Sequence, residues 1–195
     1  WTYSSPGWYT VELTVTGPAG SDTCVREMFI LAANSVYYVN GKNGDDTKSG
    51  LDWGNAWATL RHALSQAGDY DLVFVADATY SETNLDFSGA SIYLKGTSYN
   101  NAGGRRVIDC DGSGRAFVFQ TGETSDAVVE NFIIRNGDPA NDGGAIFCDG
   151  AGPTILRCTF SMNWGNGNGG AIYCGNGSAA DIKECVFSGN IAEDE

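Results

Sequence analysis

The sequence predicts an all-β chain wound as a parallel β-helix, and three observations carry that expectation. First, residues 143–163 (GGAIFCDGAGPTILRCTFSMN) return as residues 169–190 (GGAIYCGNGSAADIKECVFSGN). Gly143 recurs at Gly169 and Cys148 at Cys174, 26 residues on, while Cys158, Phe160 and Asn163 recur 27 on, at Cys185, Phe187 and Asn190. Second, each block is built of short β-formers bounded by Gly, Asn and Asp, such as residues 145–148 and 171–174, and no helical period runs through either. Third, a fainter copy, Val129-x-x-Phe132-x-Ile134 followed by Asn136, lines up with Ile155-x-x-Cys158-x-Phe160 and Asn163. Fixed-period repetition with a β-rich interior marks a stack in which each repeat buries its apolar face on its neighbours.

On adjacent coils, equivalent residues lie about 4.8 Å apart, so like side chains form ladders. Phe160 and Phe187 are then expected to fill the interior. Asn136, Asn163 and Asn190 are expected to stack at a bend that needs a left-handed backbone, where each amide can bond the next. The repeat GGAIYC…I-x-x-C-x-F-x-x-N resembles those of right-handed parallel β-helix proteins of the pectate-lyase-like superfamily, especially bacterial surface proteins of the polymorphic outer-membrane type. The similarity spans residues 36 to 195, and it implies a right-handed parallel β-helix with an extracellular or cell-surface location.

Along the chain, residues 4–31 alternate cleanly. Tyr9, Val11, Leu13 and Val15 share one face and Thr10, Glu12, Thr14 and Thr16 the other; Gly17-Pro-Ala-Gly20 is a turn, and residues 24–31 return. Pro6-Gly-x-Tyr-x-Val-x-Leu-x-Val followed by Gly-Ser-Asp-Thr resembles the last two strands of a PKD domain, an immunoglobulin-like sandwich. A lone hairpin is marginal in water, so residues 1–34 read as an incomplete sandwich to be completed from outside. After a junction at residues 32–35, residues 36–39 begin the β-helix of residues 35–195. Residues 55–67 (NAWATLRHALSQA) place Ala56, Leu60, Ala63, Leu64 and Ala67 on one face before Gly68, predicting an amphipathic helix. By the resemblance, this helix closes the N-terminal end of the β-helix. His62 on it reads as a surface residue. Residues 72–75, 92–94, 105–109 and 116–119 are further strands. Cys110-Asp-Gly-Ser-Gly114 and Cys148-Asp-Gly-Ala-Gly152 are nearly identical, suggesting one ladder of Cys110, Cys148 and Cys174. Beyond Asn190 nothing reads as a cap, so this end also reads as incomplete.

The chain of 195 residues carries 24 acidic and 11 basic side chains, a net charge of −13. Such a surface repels phosphate backbones and anionic membranes, which argues against a nucleic-acid partner. No apolar run approaches the roughly 18 residues of a membrane span. The six cysteines read mainly as buried thiols, because parallel Cβ vectors about 4.8 Å apart exceed ordinary disulfide geometry. Cys24 lies in the hairpin, away from the coils.

Asp109, Asp111, Asp138, Asp142 and Asp149 invite comparison with glycosidases and lyases built on this scaffold, or with calcium sites. A lyase also needs a projecting base, for which Arg105-Arg106 is the only close pair. Asp45-Asp46 could form a calcium loop, and Asn176-Gly-Ser178 matches a glycosylation triplet. Trp1, Trp8, Trp53, Trp57 and Trp164 could stack on sugars, though no spacing unites them. No residue is singled out as catalytic, cofactor-binding or metal-binding; calcium is the one candidate ion and solvated turn Asp the default. The expected role is structural or adhesive, with self-association or continuation into a longer chain at both ends. A carbohydrate-active enzyme and a passive carbohydrate-binding module are the alternatives.

Overall fold

The structure, a computed structural model of the chain, describes residues 2–99 and 104–193. The N-terminal hairpin pairs β1 (Gly7–Gly17) with β2 (Gly20–Ala32) in antiparallel register, Leu13 opposite Cys24 and Gly17 opposite Gly20. The predicted turn holds. The returning strand starts earlier than expected, at Gly20, because the register slips only between Tyr9 and Val11, where Met28 takes a φ of 47°. After it come β3 (Val36–Val39) and the helix α1 (Leu60–Gln66).

Four rounds of strands follow. They are β4 (Leu72–Val75), β5 (Ala78–Tyr80) and β6 (Leu85–Asp86), then β7 (Tyr93–Gly96), β8 (Arg106–Asp109) and β9 (Phe117–Phe119), then β10 (Val128–Glu130), β11 (Ile133–Arg135) and β12 (Ile146–Asp149). The last full round is β13 (Thr154–Leu156), β14 (Thr159–Ser161), β15 (Trp164–Gly165) and β16 (Ile172–Gly175). It is overlaid by β17 (Asp181–Lys183), β18 (Val186–Ser188) and β19 (Ile191–Ala192). Each strand pairs in parallel with its counterpart one coil away. The six-stranded sheet runs β17-β13-β10-β7-β4-β3, the five-stranded β18-β14-β11-β8-β5 and the four-stranded β16-β12-β9-β6. Parallel sheets stacked in coils are the arrangement the repeat predicts.

Because side chains alternate across each strand, each of the three larger parallel sheets sends at least one column inward. Val73, Leu94, Val129, Ile155 and Ile182 form the first. Tyr80, Ile108, Ile134, Phe160 and Phe187 form the second, and Leu85, Phe117, Ile146 and Ile172 the third. What buries a residue is the coil above it. Phe160 is 0 % exposed while Phe187, stacked on it at 5.0 Å, is 49 % exposed.

The GGA repeat has a steric cause. Gly143 and Gly169 both adopt a φ of 74°, and a Cβ on Gly144 would lie 2.1 Å from the Gly170 carbonyl oxygen of the next coil. Left-handed backbone followed by backbone-to-backbone contact leaves room for glycine alone.

Three expectations are corrected. The helix covers Leu60–Gln66 rather than residues 55–67. Asp46 accepts hydrogen bonds from the backbone of Ala58 and Thr59, at 2.7 and 3.0 Å, and Thr59 caps the helix, so the segment before it is extended. Leu60, Ala63 and Leu64 are buried, against β3 and β6, as the apolar face requires. Asn136 does not join the asparagine column: the left-handed residues are Asn136 and Met162, with Gly189 after them, and Asn163 stands one position later, over Gly137. Finally Cys148 pairs with Cys174 on one side but with Phe119 on the other, while Cys110 follows β8 in a different sheet. The shared Cys-Asp-Gly-x-Gly string is a turn signal that serves two different corners.

Replacing Phe160 by Ala should lower unfolding free energy by about 3–5 kcal/mol, the usual range for a buried Phe. Phe187→Ala should cost well under half as much, since its ring is half exposed; urea unfolding of both variants reads the difference.

Candidate functional site

The corner between the five- and four-stranded sheets collects most of the carboxylates singled out in the sequence. The connections after β8, β11 and β14 lie over one another, held by Asp138 N to Gly114 O at 2.8 Å and Trp164 N to Gly137 O at 2.7 Å. Asp109, Asp111, Asp138 and Asp142 are at this corner; Asp149 ends β12, toward the next. Met162 and Trp164, both exposed, line with Asp111, Asn136 and Asp138 an open cleft of about 340 Å³.

The carboxylates turn out to be engaged across the coils. Asp109 accepts from Asn136 Nδ2 at 2.8 Å, Asp138 from Asn166 Nδ2 at 3.1 Å, Asp142 from Asn168 N at 2.6 Å and Nδ2 at 3.1 Å, and Asp149 from Asn176 Nδ2. In each case an Asp on one coil is bonded by an Asn 26 to 28 residues on. The Asn163 and Asn190 amides do the same for each other at 2.8 Å, and Asn163 Nδ2 also donates to Ile134 O while its Oδ1 accepts from Gly137 N. These pairs tie one coil to the next. Asp109, nearly buried, also takes Arg135 Nε at 2.7 Å and the Asp111 amide at 3.1 Å. Burial is the largest single influence and pushes its pKa up. The bonds from Asn136, Asp111 and Arg135 together outweigh it and hold the carboxyl below its ordinary value.

A second cluster, which sequence reasoning missed, is on the outer face of the six-stranded sheet. Glu130, almost fully buried, meets the Tyr93 hydroxyl, Lys95 Nζ at 3.4 Å and Arg157 NH2 at 2.7 Å, and Arg157 reaches Glu184 at 3.6 Å. Lys95, Glu130, Arg157 and Glu184 thus alternate in sign from coil to coil. Burial, with Arg157 nearby, draws the Lys95 pKa down. Glu130, Arg157 and Glu184 are spaced by 27 residues and were legible as a charge repeat. The link to Lys95, 35 residues before Glu130, was hidden because that coil carries a longer connection.

The other candidates are dispersed. Arg106 is bound to Asn131 Oδ1 at 2.7 Å and lies 4.0 Å from Asp77, and the exposed Arg105 stands just before β8, at the opposite end of the strand from Asp109. Asp45 caps Thr47 and Asp46 pins the start of α1; among the described residues no group of three or more His, Cys, Asp or Glu is placed to hold a metal ion. Trp8 packs on Tyr93, Trp53 on Tyr99 at 4.0 Å, and Trp57 on Tyr37. Trp1 lies outside the described residues. His62 is half-buried edge-on to Trp57 at 5.1 Å, rather than a free surface residue.

Residues 157–175 match the Chlamydia polymorphic membrane protein (Chlamydia_PMP) repeat. No curated protein matches the chain. Among solved structures it resembles the GH136 lacto-N-biosidase from Eubacterium ramulus. The selenomethionine derivative aligns at 13 % identity and a TM-score of 0.59, over 80 % of this chain and 34 % of that one. The native protein aligns at 15 % and 0.50, over 79 % and 30 %. At such identity the likeness is one of fold, and this chain spans about a third of the solved chains' length. Among the described residues no helix is long and apolar enough to cross a membrane.

Since the Asp109 carboxyl titrates below its unfolded value, its stabilisation is complete above about pH 4 and disappears as pH falls through the lowered folded value. Asp109→Asn should therefore flatten the acid limb of a plot of urea midpoint against pH, with little change in its slope above pH ~5.

Proposed function

We propose that the chain is part of an extracellular or cell-surface protein with a structural or adhesive role. In this reading a right-handed parallel β-helix, residues 35–195, is closed at one end by α1 and preceded by the last strands of a PKD-like sandwich, residues 1–34. The observation that carries it is the use of the carboxylates. Asp109, Asp138, Asp142 and Asp149 each hold the next coil, where a hydrolase would keep a pair poised around a substrate bond. The polymorphic membrane protein repeat over residues 157–175 supports the surface location.

Two uncovered apolar surfaces support self-association or continuation into a longer chain. On the last coil, Ile182, Val186, Phe187 and Ile191 are exposed around an open hollow of about 550 Å³. On the hairpin, Leu13, Val15, Val25 and Phe29 are exposed. Contiguous apolar surface beside unpaired strand edges favours burial against another β-element. If copies join through these two unlike surfaces, the contact is heterologous and extends into a filament. Sedimentation velocity over rising concentration should reveal species growing without a fixed end point, and Val186→Lys with Phe187→Lys should abolish them. A concentration-independent monomer would count against the filament.

The cleft with Trp164 and Met162 favours carbohydrate as a second candidate ligand, in a passive module or an enzyme. The structural reading expects no release of reducing ends or unsaturated products from acidic polysaccharides, with or without calcium; turnover that is lost in Asp138→Asn would reverse the assignment.

A further inference from the structure

Six asparagines in the chain are followed directly by glycine: Asn40, Asn43, Asn136, Asn166, Asn168 and Asn176. In such a dipeptide the glycine nitrogen can reach the asparagine side-chain carbonyl carbon, because no Cβ on the glycine obstructs the approach. The sequence makes the six alike. The fold divides them into two sets of three.

In one set the glycine nitrogen is occupied. Gly41 N donates to the Tyr80 hydroxyl at 3.2 Å, Gly44 N to Asn40 O at 2.7 Å and Gly137 N to Asn163 Oδ1 at 3.0 Å. In the other set the amides of Gly167, Gly169 and Gly177 donate to no acceptor among the described residues, and Asn166, Asn168 and Asn176 are all exposed. Gly143 N also donates to Asn168 O at 2.9 Å, which draws electrons from the Asn168–Gly169 peptide and makes its nitrogen easier to deprotonate.

The unguarded asparagines are the ones that tie the last coils to their carboxylates. Asn166 Nδ2 donates to Asp138 at 3.1 Å and to Pro139 O at 2.8 Å, Asn168 Nδ2 to Asp142 at 3.1 Å, and Asn176 Nδ2 to Asp149. Asn136, which makes the corresponding bond to Asp109, belongs to the guarded set because Asn163 of the next coil holds its glycine.

We propose that Asn166, Asn168 and Asn176 are a self-modification site, where deamidation by water converts the ties between coils into pairs of carboxylates. The glycine nitrogen, its proton lost to solvent base, attacks the asparagine Cγ and forms a five-membered succinimide. The side-chain nitrogen leaves as ammonia, taking a proton from water. A second water then opens either carbonyl of the ring, giving aspartate or isoaspartate. In sum, one side-chain amide and one water become one carboxylic acid and one ammonia, and nothing is oxidised or reduced. Each conversion removes the donor that faced Asp138, Asp142 or Asp149 and sets a second negative charge beside it, while isoaspartate also inserts a methylene into the main chain. Like charges at such range repel, and the lost hydrogen bond is not replaced.

The test is to hold the folded chain in warm, mildly alkaline buffer, and a second sample unfolded in guanidinium chloride, then to follow each asparagine by tryptic peptide mapping with fragmentation. Isoaspartate is counted by its specific enzymatic methylation. In the folded chain Asn166, Asn168 and Asn176, all on the peptide from Cys158 to Lys183, should each convert ahead of Asn40, Asn43 and Asn136. In the unfolded chain the six should convert alike, and the folded product should have a lower urea midpoint than fresh protein. Asn166→Gln, Asn168→Gln and Asn176→Gln together should keep the midpoint constant with age. The proposal is overturned if any of Asn40, Asn43 and Asn136 keeps pace with any of the other three in the folded chain, if the same ranking persists on unfolding, or if conversion leaves the midpoint unchanged.

Discussion

Each coil is a poor structure alone and a good one under another coil. Its strands are two to four residues long, and its inward side chains are buried only when a coil lies on either side. Phe160 and Phe187 differ in exposure although their local sequences are nearly the same, so burial here is a property of the stack and not of the repeat. The turns follow from the same contact. Glycine stands at Gly144 because the neighbouring backbone is 2.1 Å from where a Cβ would be.

The same geometry explains how a chain of net charge −13 remains compact. Many carboxylates accept hydrogen bonds from backbone amides or from Asn on the next coil. Glu82 takes the first two amides of α1 at 2.8 Å each, Asp71 takes Ser35 N and Gly68 N at 2.8 Å, and Asp142 takes Asn168. A carboxylate that accepts such bonds is favoured in its charged form. In the column of Lys95, Glu130, Arg157 and Glu184 the charges alternate in sign along the stack, so each contact between neighbouring coils is an attraction.

For function, the consequence is a scaffold in which many acidic residues hold neighbouring coils together. The fold is shared with a glycosidase, but fold and chemistry are separable: activity resides in a site placed on the scaffold. Among the described residues, apolar side chains are exposed on the coil of Ile182 and Phe187 and on the hairpin, and Trp164 lines a small cleft at one corner.

Period and polarity were enough to announce stacked parallel strands, the inward Phe160 and Phe187 and the hairpin turn, because translation by one coil brings like residues together and leaves a repeat in the sequence. Tertiary structure alone decided the rest. Asn136 looked equivalent to Asn163, but the shorter spacing put it on the left-handed residue and not on the amide column. Cys110 looked like Cys148, yet identical turn residues serve different corners. The helix began at Leu60 because Asp46, distant in sequence, held the amides before it. The Lys95–Glu130 contact depends on a connection of irregular length. Where coil length varies, spacing no longer reports neighbours, and only the folded backbone determines which side chains meet.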